Sequence, residues 1–184
     1  SFEEGTQRYS ANPPSTTTGS FQAANGATWV YRTESTSSSW IVTGFGANTT
    51  GSYNVATGYE ALKNNTIGSY NVATGRTTLL SNTTGNYNIA VGTSTLYLNT
   101  IGNYNVATGH NALYTNTTGS YNLATGSQSL YNNTTGNNNV ATGYQSLYNN
   151  TTGYSNVATG HKALYTNTTG SYNLATGSQS LYNN

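Results

Sequence analysis

Hydrophobic and polar positions repeat every 17 residues from Gly51 onwards, over the greater part of the chain. The unit reads G-S/N-Y-N-V-A-T-G-x-x-A/S-L-Y-x-N-T-T and occurs eight times, the last copy ending two residues short at Asn184. Two glycines hold fixed places in every unit, and glycine readily adopts the backbone conformations of tight bends. We therefore predict that each unit is one coil with these glycines at its corners: Gly51, Gly58, Gly68, Gly75, Gly85, Gly92, Gly102, Gly109, Gly119, Gly126, Gly136, Gly143, Gly153, Gly160, Gly170 and Gly177.

The residue types within the unit favour strands over helices. Each unit carries two glycines, several Thr and Asn and often two β-branched residues, all of which are poor helix formers. The segment N-V-A-T is typical of a short strand, A-L-Y is typical of a second one, and the glycine-containing segments between them are typical of bends. The sequence thus predicts an all-β fold, a parallel β-solenoid or β-roll of eight 17-residue coils over residues 48–184, with coils about 4.8 Å apart.

One asparagine column explains why charged residues are scarce. In a solenoid, equivalent residues of successive coils stand above one another, and a column of like charges at that spacing would repel. A neutral amide instead donates a hydrogen bond to one neighbour and accepts one from the other. We predict such a ladder at Asn54, Asn71, Asn88, Asn105, Asn122, Asn139, Asn156 and Asn173.

Side-chain alternation within N-V-A-T leads to a prediction of the core. Val55 and Thr57 share one face of the strand, and Asn54 and Ala56 share the other. The Val55 position holds Val, Ile or Leu in all eight units, so we predict that its face lines the interior and meets the leucine of the second strand. The predicted core contains Val55, Leu62, Val72, Leu79, Ile89, Leu96, Val106 and Leu113.

The alanine column would then lie on the outer face of the strand. A position that holds only Ala in eight units suggests a second packed surface without spare room, and we predict that copies of the chain pack there as a homo-oligomer. The alternative is a monomeric solenoid with an alanine-lined flat side. The column consists of Ala56, Ala73, Ala90, Ala107, Ala124, Ala141, Ala158 and Ala175.

The first fifty residues do not follow the period. Residues 1–26 are predicted to be an extended arm or linker, because they contain a Ser-, Thr- and Pro-rich stretch. Residues 27–47 contain two β-rich runs, 27–32 and 39–43, which predict a β-hairpin. The first coil of a solenoid is an open edge that needs covering, so we predict that this hairpin caps it through Trp29 and Trp40. The alternative is an element that docks to a neighbouring protein or to the next segment of a filament.

Composition excludes several classes of function. Among 184 residues there are five Lys and Arg and four acidic residues, all Glu, which gives a net charge of +1 and no basic surface for nucleic acid. The chain has no Cys and no apolar run long enough to span a membrane. His110 and His161 occupy one column three coils apart, too distant to share a metal within one chain. We expect no catalytic residues, no metal site and no cofactor, and hence no enzyme.

The motif Y-N-V-A-T-G-Y-E-A-L, repeated with glycine corners, resembles the head repeats of trimeric autotransporter adhesins and the coils of bacteriophage tail fibres. The resemblance covers residues 48–184, although the unit is longer than the adhesin repeat and Thr usually replaces the second aliphatic residue of the strand. It implies a trimeric β-roll that serves as an extracellular rod on a virion or a bacterial cell surface. A surface glycan or a host receptor is the partner that such a fibre implies.

Ice binding is the alternative function, because flat threonine arrays at the β-strand spacing order water. We locate such an array in the unbroken corner column, which weakens the hypothesis because a corner is narrower than a strand face. The column consists of Thr66, Thr83, Thr100, Thr117, Thr134, Thr151 and Thr168.

Overall fold

The structure, a computed structural model, describes residues 16–22, 28–34, 41–43 and 51–184. It confirms an all-β parallel β-solenoid with 17-residue coils, and the described residues contain no helix. The strands are β1 (Thr16–Gln22), β2 (Thr28–Glu34), β3 (Ile41–Thr43), β4 (Val55–Thr57), β5 (Val72–Thr74), β6 (Ile89–Val91), β7 (Val106–Thr108), β8 (Leu123–Thr125), β9 (Val140–Thr142), β10 (Val157–Thr159) and β11 (Leu174–Thr176).

Strands β3 to β11 form one parallel sheet in sequence order, with one strand per coil from β4 onwards. Equivalent residues are paired, so Val55 lies beside Val72 and Ala56 beside Ala73. Main-chain hydrogen bonds between coils continue beyond the strands; for example, the Leu62 amide donates to the Thr78 carbonyl at 3.1 Å. Every coil is therefore held to the next along much of its length.

The segment A-L-Y forms turns, although the sequence predicted a second strand there. The leucine and the residue two places before it adopt the left-handed conformation in every coil, with φ of 55° at Glu60 and 51° at Leu62 in the first. Two left-handed residues so close together cannot continue an extended strand. The sheet therefore occupies only one side of the coil.

The apolar part of the interior is formed by the alanine column and the leucine column, together with Ala61, Ala112 and Ala163. Leu62, Leu79, Leu96 and Leu113 are fully buried, where the sequence predicted them. The alanine column is equally inaccessible within a single chain, from 0% exposure at Ala56 to 1% at Ala175. This corrects the predicted subunit contact through the alanines, because side chains closed inside one coil cannot reach a second copy.

The predicted core residues at the Val55 position lie on the outside. Val55, Val72 and Val106 are half-buried and Ile89 is exposed. The reason is the asparagine that precedes each strand: its side chain bonds inside the coil, so the alanine two places later also points inward. The space opposite each leucine is then filled by a methyl group, and the larger aliphatic residue faces outward.

The strands before residue 44 pair differently from the predicted hairpin. Strand β2 pairs antiparallel with β1, which lies within the predicted arm, and Thr28 is opposite Gln22. Strand β3 pairs in parallel with β4, with Ile41 beside Val55. Trp29 lies in β2, Trp40 lies outside the described residues, and the capping role of both stays a prediction.

Candidate functional surface

The corner glycines fall into two groups with different physical roles. In the Gly58 column the backbone is left-handed, with φ between 116° and 135°. In the Gly51 column no positive φ occurs, but the main chains of successive coils approach closely. A Cβ on Gly119 would lie 2.5 Å from the carbonyl oxygen of Gly136 and would also overlap the Asn116 side chain. The first group thus permits a bend as well as close stacking, since a Cβ on Gly126 would lie 2.6 Å from the Gly143 carbonyl oxygen, and the second permits close stacking without a positive φ.

The predicted asparagine ladder lies inside the coil and bonds mainly to the main chain. The main-chain N–H of Asn71 donates to Oδ1 of Asn54 at 2.9 Å. The side-chain Nδ2 of Asn71 donates to the Gly85 carbonyl at 2.8 Å. Further along, Nδ2 of Asn105 also reaches Oδ1 of Asn88 at 3.1 Å. From Asn88 to Asn156, each side chain links its own coil to both neighbours.

A second buried asparagine ladder was missed in the sequence. Nδ2 of Asn82 donates to Oδ1 of Asn65 at 2.7 Å and to the Gly85 carbonyl at 3.0 Å. The same arrangement recurs at each later corner, and its signal was present in the sequence as an Asn at one fixed place before each Thr. The ladder consists of Asn65, Asn82, Asn99, Asn116, Asn133, Asn150, Asn167 and Asn184.

The outward positions of β4 to β11 form a surface that we call the sheet face. It has an aliphatic column beside a column of Thr that Val91 interrupts, and neither contains a charged residue. The aliphatic column is Val55, Val72, Ile89, Val106, Leu123, Val140, Val157 and Leu174. The second column is Thr57, Thr74, Val91, Thr108, Thr125, Thr142, Thr159 and Thr176, and all but half-buried Thr74 are exposed.

Threonine hydroxyls of the corner column and of the sheet face differ in their bonding. In the corner, each hydroxyl from Thr66 to Thr151 donates to the carbonyl of the equivalent residue one coil later, as from Thr117 to Thr134 at 3.0 Å. On the sheet face, the hydroxyls of Thr108, Thr125 and Thr142 make no hydrogen bond to any residue that the structure describes. At these three positions the sheet face, unlike the corner column, offers its hydroxyls to solvent.

Two stacks of tyrosine rings run along the solenoid. One extends from Tyr53 to Tyr121 and the other from Tyr97 to Tyr182, with ring centroids 4.8–5.2 Å apart. Within a stack, neighbouring rings cover both faces of each ring. The rings inside a stack consequently present edges and hydroxyl groups outward, and their faces are closed to a sugar.

Charged and titratable groups are few and scattered. Lys63 donates to Glu60 at 2.6 Å, and this hydrogen bond raises the pKa of the lysine. Burial raises the pKa of Tyr114 and Tyr148, and neighbouring tyrosinate charges in the stack add to the increase. His161 stacks on Tyr144 at 5.6 Å, away from His110. Among the residues described, no group of three or more His, Asp or Glu is placed to hold a metal.

No helix long and apolar enough to cross a membrane occurs in the described part of the chain.

The structure brings together the residues of the two asparagine ladders and those of the sheet face, and both sets recur from coil to coil. No family model, no curated protein and no solved structure matches the chain.

Proposed function

We propose that the chain is a non-enzymatic rod segment of an extracellular fibre, of the kind found in tail fibres and surface adhesins. The observation that carries the proposal is the continuous bonding between coils. Each coil is joined to the next by a parallel strand pair and by two asparagine ladders, one of which lies at 0% exposure at Asn88 and Asn105. Such a stack resists bending and separation of coils, because bending would break several buried hydrogen bonds at once.

A trimer is part of this proposal, as the resemblance to fibre repeats implies. The buried alanines remove the physical argument from subunit packing, since each coil fills its own interior. Assembly then depends on outward residues. Light scattering in native buffer tests it directly: a mass three times the 19.4 kDa of one chain is expected, and a mass of one chain would contradict the trimer.

The surface is also proposed to bind a receptor or glycan. Exposed tyrosine edges, Asn and Thr supply hydroxyl and amide groups in regular rows, whereas aromatic faces are covered within the stacks. We therefore expect polar recognition of a repeating polymer rather than of a single sugar. Binding of the labelled protein to a panel of surface polysaccharides and their single-unit fragments tests this. Equal binding to both, or to neither, would contradict it.

The proposed cap at residues 27–47 is supported in one respect. Pairing of β3 with β4 occupies the strand edge that the first complete coil would otherwise expose. Hydrogen exchange of the Ala56 amide in the full chain tests the proposal: slow exchange, comparable with that of Ala124, is expected. Exchange as fast as in an unfolded peptide would show an uncovered edge.

The corner threonines do not favour the ice-binding alternative. Their hydroxyls are already donated to carbonyl groups of the next coil, for example from Thr134 to Thr151 at 3.0 Å. A hydroxyl held in this way is not free to donate to a water lattice. An ice-binding function through this column is therefore not part of the proposed function.

A further inference from the structure

We propose that the sheet face is an ice-binding surface, distinct from the corner column and additional to the role of the rod. Its threonines stand on successive strands of one parallel sheet in register, as Thr108, Thr125 and Thr142 show. Equivalent residues are about 4.8 Å apart across strands, and outward residues along a strand are about 6.6 Å apart. The face is thus a regular lattice two columns wide, with hydroxyl groups along one column and apolar side chains along the other.

The bonding state of the threonines favours ordered water as the occupant. Hydroxyls at Thr108, Thr125, Thr142 and Thr159 make no hydrogen bond within the described residues and are exposed. Each can therefore donate to one water and accept from another. Because these groups repeat with the strands, the waters they bind repeat as well, and a crystalline water surface is the partner that continues such a lattice.

The aliphatic column contributes shape without competing for those waters. Val106, Leu123 and Val140 stand two residues before the threonines on the same strands. They are apolar and partly exposed, so water beside them is not fixed by a charge or a polar side chain. The absence of charge matters because an ion holds its own hydration shell and interrupts an ordered array.

A second copy of the chain is a poorer occupant of this face. Packing two copies there would bury the threonine hydroxyls, and a buried hydroxyl without a partner costs about 1–3 kcal/mol. That cost would recur in the four successive coils that carry Thr108, Thr125, Thr142 and Thr159. Subunit contacts in the proposed fibre are therefore assigned to other sides of the coil, and the sheet face stays open to water.

The experiment compares three proteins of full length: the parent, Thr125→Lys and Thr135→Lys. Both positions are exposed threonines separated by ten residues, but Thr125 lies on the sheet face and Thr135 does not. Position 135 tolerates larger residues, because its column holds Ile67 and Ile101. Thermal hysteresis and inhibition of ice recrystallisation are measured, and circular dichroism with thermal unfolding establishes that all three are folded alike.

The proposal expects thermal hysteresis in the parent and in Thr135→Lys, and its loss in Thr125→Lys. It is overturned if the folded parent shows neither hysteresis nor inhibition of recrystallisation. Equal loss in the two lysine variants would also overturn it, because the effect would then reflect added charge rather than the sheet face. Light scattering on the same samples tests the fibre proposal independently, because that proposal depends on the mass of the assembly and not on thermal hysteresis.

Discussion

Nδ2 of Asn133 donates a hydrogen bond of 2.8 Å to Oδ1 of Asn116, one coil earlier, and neither side chain is exposed to solvent. Asn116 in turn donates to Asn99 at 2.7 Å and to the Gly119 carbonyl at 2.9 Å. Every amide from Asn82 to Asn167 is therefore a donor toward the preceding coil and an acceptor toward the following one. The direction of all the amides is fixed, and a carboxylate cannot replace one of them without loss.

Asn116→Asp is expected to destabilise the fold by about 3 kcal/mol or more at pH 7, because it buries a charge and places a new acceptor against two existing acceptors. A protonated Asp regains a donor, so the folded pKa is raised above its unfolded value of about 3.9. Folding then favours the protonated acid, and the loss grows as pH rises from about 4 toward the folded pKa. Urea unfolding at pH 3 and pH 7 measures the difference.

The matched control is Asn149→Asp. Oδ1 of Asn149 accepts from Asn132 at 3.1 Å at a partly exposed position, so a carboxylate keeps the acceptor and remains solvated. A change within about 0.5 kcal/mol is expected there. Similar losses at both positions would show that burial of the ladder is not responsible.

Gly126→Ala and Gly177→Ala separate close approach from backbone conformation. Both glycines are left-handed, with φ of 128° and 116°. A Cβ at Gly126 would lie 2.6 Å from the Gly143 carbonyl oxygen, whereas a Cβ at Gly177 would meet nothing within 4 Å. We expect Gly177→Ala to cost about 1–2 kcal/mol from conformation alone, and Gly126→Ala to cost clearly more. Equal costs by thermal unfolding would argue against close packing between coils.

The period, the coil and the Asn54 ladder were predictable because they depend only on like residues standing above one another. Which face of each strand points into the coil was not predictable. Alternation divides Val55 from Ala56 but does not say which faces inward, and a preference for burying the larger side chain gave the wrong answer. Inside the coil, Ala56 and Leu62 are both fully buried, and Val55 lies on the outer face. Variation was the better guide, since the Ala56 column never changes and the Val55 column does.

The bonding of the sheet-face hydroxyls depends on that same orientation, so the sequence reasoning placed the threonine array at the corner instead. The second asparagine ladder was missed for a different reason. Asn65 stands in a segment of Asn, Thr and Gly that is typical of solvated turns. Such an asparagine becomes buried only when the turns of successive coils stack on one another. No local sequence pattern distinguishes this buried asparagine from one in a solvated turn.

At positions where a residue other than glycine has a left-handed backbone, a Gly variant is expected to be more stable than an Ala variant. Gln128 has φ of 57°, a conformation that costs a residue with a Cβ about 1–2 kcal/mol. Gln128→Gly is therefore expected to be more stable than Gln128→Ala, although Gly usually destabilises relative to Ala. Both variants lose the hydrogen bond from Gln145 equally. At neighbouring Ser127, where no positive φ occurs, Ser127→Ala is expected to be more stable than Ser127→Gly. If Ala were the more stable residue at both positions, the left-handed conformation of Gln128 would be contradicted.

Thr117→Val and Thr125→Val test the difference between the two threonine columns. The Thr117 hydroxyl donates to a carbonyl of the next coil, so its loss is expected to cost about 1 kcal/mol. Thr125→Val removes no hydrogen bond within the described residues, and the column already holds Val91. Its effect on the free energy of unfolding is expected to stay within about 0.5 kcal/mol. A larger loss at Thr125 would show that its hydroxyl has a structural partner.

Alkaline pH is expected to weaken the fold through the stack that runs from Tyr97 to Tyr182. Burial raises the pKa of Tyr114 and Tyr148, and the charges of adjacent tyrosinates raise it further. The unfolded chain releases these protons first, at a pH of about 10. The free energy of unfolding is then constant below that pH and falls as pH rises through the folded pKa. Urea unfolding across this range measures the fall. A double variant, Tyr114→Phe with Tyr148→Phe, keeps the aromatic rings but loses the two ionisable hydroxyls, so its free energy of unfolding should fall less as pH rises. An equal fall in the double variant would show that these two tyrosines do not cause it.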